Sequence, residues 1–408
     1  MQDIIQQQGD QGLAATRSRE AGKAASHGTC PACSQPLGTD SHDLPPLWPR
    51  LLGGEYAPAL FRSNAFCATC ARLGDDSIDN NFLKNWSMQG QQVRSALSFL
   101  DRDKPLPGPL TYLGIAADYQ SDDDTFCERW AGLAGEQIFH IHRNREVAWA
   151  GRVGAEASPG AIDAGSVTLR LADSSAYWSQ VANLSVAAYF PHARRFIINP
   201  HHHGTSAQPG AIAFDALFAP RQQEWFRAAH HGRLTLHPDL AQRGPQRFLN
   251  KLALSLGRRL FGPSFIRTSQ ARQLRRNFWS ASPQVHSGQL AEGLERASAA
   301  FGCPPGRLGV CGAWTLILGP LGQEYGLCLI TPAGQAMYVV IADDPGEAAH
   351  GHAVAACVAV PNRQIFLGPL PLQKLARHQA GLESAPELAR LDAMRLAPSQ
   401  LPPRRGLM

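Results

Sequence analysis

Apolar positions recur along this chain with two periods. Over residues 105–200 they fall in short runs rich in β-branched and aromatic residues: 110–113, 137–142, 167–171, 184–190 and 195–198. Gly, Asp and Pro turns separate them, which predicts an antiparallel, β-rich domain. A second set of such runs, at 308–311, 314–318, 325–330, 337–341 and 353–360, predicts a further β-rich segment over 286–375. Between the two sets the period changes to that of a helix. Phe248, Leu252, Leu256 and Leu260 recur at every fourth position, and Gly262-Pro263 closes the run. A second helix is predicted near 271–279. Nearer the N-terminus, Ile78, Phe82 and Trp86 share one helical face with Leu83 beside them. Asp76 suits the N-cap of that helix, and Gly74 reads as a break before it.

The resulting class is α+β, in six parts. Residues 1–26, rich in Gln, Gly, Ala and Ser, read as a disordered lead-in. An N-terminal module spans 27–90. The β-rich domain at 105–200 follows a Pro- and charge-rich linker at 101–109. A His-containing loop and the two helices cover 201–285, the second β-rich segment 286–375, and a short helix with a Pro/Arg tail 376–408. With 44% hydrophobic and 17% charged residues the chain is of globular type. No run of about 18 apolar residues predicts a membrane span. The first residues lack the basic start and apolar run of a signal peptide, so a cytoplasmic location is expected. A P-loop, a dinucleotide fingerprint and a nucleophile elbow are all absent from the sequence. This argues against nucleotide hydrolysis, hydride transfer and α/β-hydrolase chemistry.

Four of the nine cysteines stand in two Cys-x-x-Cys pairs, Cys30/Cys33 and Cys67/Cys70. Each pair offers two thiolates from one tight turn, and two pairs complete a tetrahedral structural zinc site. A redox dithiol is the competing reading, but it needs only one pair. The other five cysteines, Cys127, Cys303, Cys311, Cys328 and Cys357, sit at no regular spacing and read as buried free thiols. His140 and His142 alternate along a predicted strand, as a polar strand face or a metal pair. The net charge of +5 is concentrated: residues 221–276 hold twelve Arg or Lys and two acids, Glu224 and Asp239. Lys251, Arg258, Arg259, Arg272, Arg275 and Arg276 are the candidate nucleic-acid contacts. The alternative is a core helix pair whose cationic stems reach out to water.

The first module also carries a motif. It reads Cys30-Pro-Ala-Cys33, Ser41-His42-Asp43-Leu44-Pro45, Gly53-Gly54, Cys67-Ala-Thr-Cys70 and then Ile78-Asp79. This resembles HNH-type endonucleases, and more closely uncharacterised bacterial proteins with an HNH-like zinc module at the N-terminus. The resemblance implies a treble clef: a zinc knuckle, a β-hairpin, and a second knuckle that starts a helix. It also implies that His42 is a general base beside a catalytic Mg²⁺ or Mn²⁺, distinct from the structural zinc. Asp40, Asp43 and Asp79 are the candidate ligands of that ion. Ser41 stands where the family carries an acidic residue before the His, and Ala71 where it carries a ligand after the last Cys. The function expected is nucleic-acid binding, DNA in preference to RNA, with metal-dependent phosphodiester hydrolysis. The alternative is a catalytically inactive zinc module that serves as a nucleic-acid or protein recognition surface.

Overall fold

Alternation along the C-terminal strands divides their side chains between two cores. In β6 (Trp314–Leu321) and β7 (Glu324–Ile330), Trp314, Leu316, Leu327 and Leu329 face one way, and Ile317, Cys328 and Ile330 the other. Both faces are covered, so both strands are nearly continuous apolar runs. With β8 (Ala336–Ala342), β9 (Ala355–Val360) and β10 (Ile365–Pro371) they form an antiparallel sheet of order β10-β9-β6-β7-β8. A computed structural model of the protein describes residues 28–37, 44–79, 82–83, 97–115, 125–133, 135–143, 166–170, 176–190, 193–198, 243–279, 287–343 and 353–402. No helix in these residues is long and apolar enough to cross a membrane.

The other sheet contains β1 (Thr111–Ile115), β2 (Thr125–Ala131), β3 (Gln137–Arg143), β4 (Ser166–Arg170) and β5 (Arg194–Ile198), paired in chain order. It departs from the antiparallel expectation at one edge, where β4 and β5 are parallel. Parallel neighbours need a crossover, and residues 184–189 of the run predicted as a strand belong to the helix that occupies it. Besides a one-turn helix α1 (Ala59–Arg62) and α2 (Ala68–Leu73), this is α3 (Ala176–Tyr189). Its buried Trp178, Val181, Ala182, Ser185 and Val186 follow the helical spacing of one face. Part of that face covers Trp130, Ile138 and Val167 of the sheet and Leu110 just before β1. The expected linker is held in place: Arg363 contacts Asp101 at 3.0 Å, and Tyr177 Oη donates to the Asp101 carbonyl at 2.6 Å.

Helix α4 (Arg243–Leu260) joins the cysteine-bearing segment to the C-terminal sheet. Residues 248–257 are all buried, because the segment packs on one side of the helix and the sheet on another. Aromatic contacts bridge the layers. Phe82 stacks on Phe248 at 3.9 Å between centroids, and Trp48 meets Trp314 edge-on at 6.0 Å. Helix α5 (Ser269–Trp279) lies against α4 and buries Ala271, Leu274 and Phe278. On the far face of the sheet, α6 (Ser287–Phe301), α7 (Leu372–Gln379) and α8 (Pro386–Ala393) contribute Ala297, Leu375, Leu388 and Leu391. The stretch 308–311, predicted as a strand, instead starts with the last residue of a 3₁₀ turn, Pro305–Leu308, and continues outside any strand.

Candidate metal centre

The two cysteine pairs meet in a layout that their local sequences dictate. Around the first, Ser34 N–H donates to the Cys30 carbonyl at 2.9 Å and Cys30 N–H to the Gln35 carbonyl at 2.8 Å. Ser34 takes the left-handed conformation, φ 63°, that turns the chain back. Around the second, Cys67 is the N-cap of α2 and Cys70 sits in its first turn, where the helix dipole favours thiolates. All four Sγ atoms lie within 4.8 Å of one another, and those of Cys33 and Cys67 are 3.6 Å apart. Sulfurs about 2.3 Å from a tetrahedral zinc are spaced by about 3.8 Å, so the tetrad fits that ion. Four protein sulfurs leave no open coordination position, which is the pattern of a structural rather than a catalytic site.

The thiols on their own are in electrostatic conflict. A hydrogen bond from Cys70 pulls Cys30 down to about 5, and the same bond pushes Cys70 up. Burial raises Cys33 to about 11. A dication that takes all four as thiolates removes the conflict and releases protons as it binds.

Helix α5 clamps this centre. Arg275 Nε donates to the Pro31 carbonyl at 2.8 Å, and Trp279 Nε1 to the Ala32 carbonyl at 2.8 Å. These residues are one helical turn apart, so one side of α5 holds both inner residues of the first knuckle. The other candidates divide by position. His42, Asp40 and Asp43 lie outside the described residues, as do the histidines of 201–237. Asp79 is not an available metal ligand. It is 1% exposed, and its Oδ2 accepts from Lys251 Nζ at 2.6 Å. Lys251, expected to touch phosphate, is 0% exposed for the same reason. Its chain passes over Gly74, where a Cβ would stand 3.3 Å from the Lys251 Cε. Gly74 is therefore not a break. It has helical dihedrals and opens a π-helical turn, Gly74–Asp79, that replaces the expected N-cap at Asp76.

Among the remaining cations, Arg275 is committed to the knuckle and Arg258 packs beside Gly28, where burial lowers its pKa. Arg259, Arg272 and Arg276 are exposed. Two further groups escaped the sequence reading, the exposed Arg267 and the clamping Trp279. The one available signal was helical spacing, which puts Trp279 one turn beyond Arg275. His140 meets the buried Glu128 across the β2–β3 ladder, Nδ1 to Oε2 3.3 Å, which makes it a paired strand histidine. Of the five other cysteines, Cys127, Cys328 and Cys357 are buried as expected, but Cys303 is half-buried and Cys311 exposed. Between the knuckles, the described residues 44–66 form 3₁₀ turns and α1, with no strand of the implied hairpin. Compared with protein-family models, curated proteins and solved structures, the chain matches none.

Proposed function

We propose that this chain binds nucleic acid through a helix pair held in place by a structural zinc ion, and that its N-terminal module recognises rather than cleaves. The observation that carries the reading is charge distribution. Residues 243–279 contain nine Arg or Lys and no Asp or Glu. Their exposed members Arg259, Arg267, Arg272 and Arg276 give a surface of one sign, suited to phosphates. Among the described residues, no carboxylate pairs with Arg267, Arg272 or Arg276. Zinc bound by Cys30, Cys33, Cys67 and Cys70 fixes the knuckle that Arg275 and Trp279 grip, and so fixes the face that α5 presents.

The likeness to HNH-type modules supports nucleic acid as partner, and DNA over RNA. The cleavage half of that likeness is weakened at two places. Asp79 is bound to Lys251, and Ala71, at the position of a family ligand, is 0% exposed in the core. A metal held there would have to displace packed side chains.

Replacing Arg259, Arg272 and Arg276 together by Ala is expected to lower the slope of log affinity against log salt by about 2–3. Each phosphate contact contributes about 0.9. Thermal melting should move only slightly, since all three side chains are exposed and the bonds lost, Arg259 Nη1 to the Ser63 carbonyl and Arg276 Nη2 to Gln273 Oε1, are solvent-exposed. An unchanged slope returns these residues to ordinary surface charge and removes the reading.

Zinc-loaded protein incubated with millimolar Mn²⁺ or Mg²⁺ is expected to leave plasmid DNA and RNA intact. Nicking that chelation stops and His42→Ala abolishes would reinstate the hydrolytic reading, with His42 as base.

A further inference from the structure

The outer face of α5 carries more than charge. Positions 269, 272, 273, 276 and 277 fall on one arc of the helix, opposite the buried Ala271, Leu274 and Phe278. That arc presents Arg272, Gln273 and Arg276 to solvent, with Asn277 at its half-buried edge. The polar groups are organised into a chain. Arg276 Nη2 donates to Gln273 Oε1 at 2.7 Å, and Gln273 Nε2 donates to Asn277 Oδ1 at 3.3 Å. Arginine, glutamine and asparagine are the side chains whose paired donors and acceptors match guanine and adenine edges. A surface that only neutralised phosphate would need the cations alone.

From this we infer that α5 is the element that reads base edges, and that its ligand is double-stranded DNA entered from the major groove. The inference rests on the nucleic-acid reading above. An α-helix with its side chains is about 10–12 Å across, which a major groove about 12 Å wide admits, and the 11 residues of α5 run about 16 Å along it. The major groove of duplex RNA is deep and narrow and does not admit such a helix. Both flanks of α5 are fixed, which is what presenting a rigid face requires. On one, Arg275 and Trp279 hold the knuckle; on the other, Gln270 Nε2 donates to the Val340 carbonyl of β8 at 2.8 Å.

The test uses the full zinc-loaded chain and a duplex chosen from a randomised DNA pool. The chosen duplex should bind about tenfold or more tightly than a scrambled one, and more tightly than duplex RNA or single-stranded DNA of the same sequence. Gln273→Ala should bring the chosen duplex to within a few-fold of the scrambled one. Affinity for the scrambled duplex and the salt slope should be unchanged. Two results overturn the inference and leave the phosphate-binding reading standing, provided the salt slope stays steep. One is full sequence preference in both Gln273→Ala and Asn277→Ala. The other is duplex RNA or single strands bound as tightly as duplex DNA. If no nucleic acid binds at low salt, both fall together.

Discussion

Cys70→Ser protein is expected to purify without stoichiometric zinc and to melt well below the parent. Apparent zinc-binding energies in small zinc domains are about 10–16 kcal/mol. For a domain of some 200 residues each kcal/mol moves the midpoint by about 2–4 °C, so loss of even a third of that energy lowers it by roughly 7–20 °C. The loss should spread beyond the knuckles. Arg275 and Trp279 of α5 hold the carbonyls of Pro31 and Ala32, and α5 packs on α4, which is buried between the module and the C-terminal sheet. Removing zinc from the parent with a chelator should give the same lowered midpoint. Cys311→Ser, at an exposed thiol outside the tetrad, should leave both zinc content and melting unchanged. A Cys70→Ser variant that keeps its zinc and its midpoint is incompatible with the assignment.

Lys251→Ala is expected to destabilise the protein by about 3–5 kcal/mol, as removal of one partner from a buried ion pair does elsewhere. The remaining Asp79 would have no cation in a site walled by the core, and its Oδ1 already has no hydrogen-bond partner among the described residues. Replacing both partners, Lys251→Met with Asp79→Leu, should restore most of the loss, because two apolar side chains need no desolvation.

The same pair gives a pH signature. Burial raises the Asp79 carboxyl from 3.8 to about 7, and the ammonium of Lys251 offsets that only in part. A carboxyl whose folded pKa is raised binds its proton more tightly when folded. Its contribution to stability is therefore complete below about pH 4 and is lost as pH rises through about 7. Denaturant unfolding of the parent and of Asp79→Asn across this window isolates the effect, since zinc loss in acid is common to both. The parent should lose stability relative to the variant as pH rises; a constant difference would contradict it.

The metal centre was legible in the sequence because its ligands come in two local pairs, and each pair brings its own turn. The second sheet was legible for a similar reason: strands buried on both faces leave unbroken apolar runs such as 325–330. What escaped depends on distance along the chain. Lys251 looks like one more surface cation in a basic helix, and only the partner 172 residues away reveals that it points inward. Arg275 differs from Arg272 and Arg276 by its angle around α5, which matters once the knuckle is known to lie on that side. The helix over residues 176–189 was hidden because the apolar run 184–190, which takes in its second half, matches a buried strand as well as a helix. The spacing of Trp178, Val181, Ala182, Ser185 and Val186 becomes informative once the window starts earlier. The parallel β4–β5 pair follows from that helix and could not be placed without it.

X-ray absorption at the zinc edge of purified, unsupplemented protein tests the central claim most directly. The account predicts about one zinc per chain with four sulfur neighbours at about 2.3 Å and no lighter ligand. Protein free of metal, or a zinc shell that mixes sulfur with oxygen or nitrogen, would contradict a closed four-cysteine site.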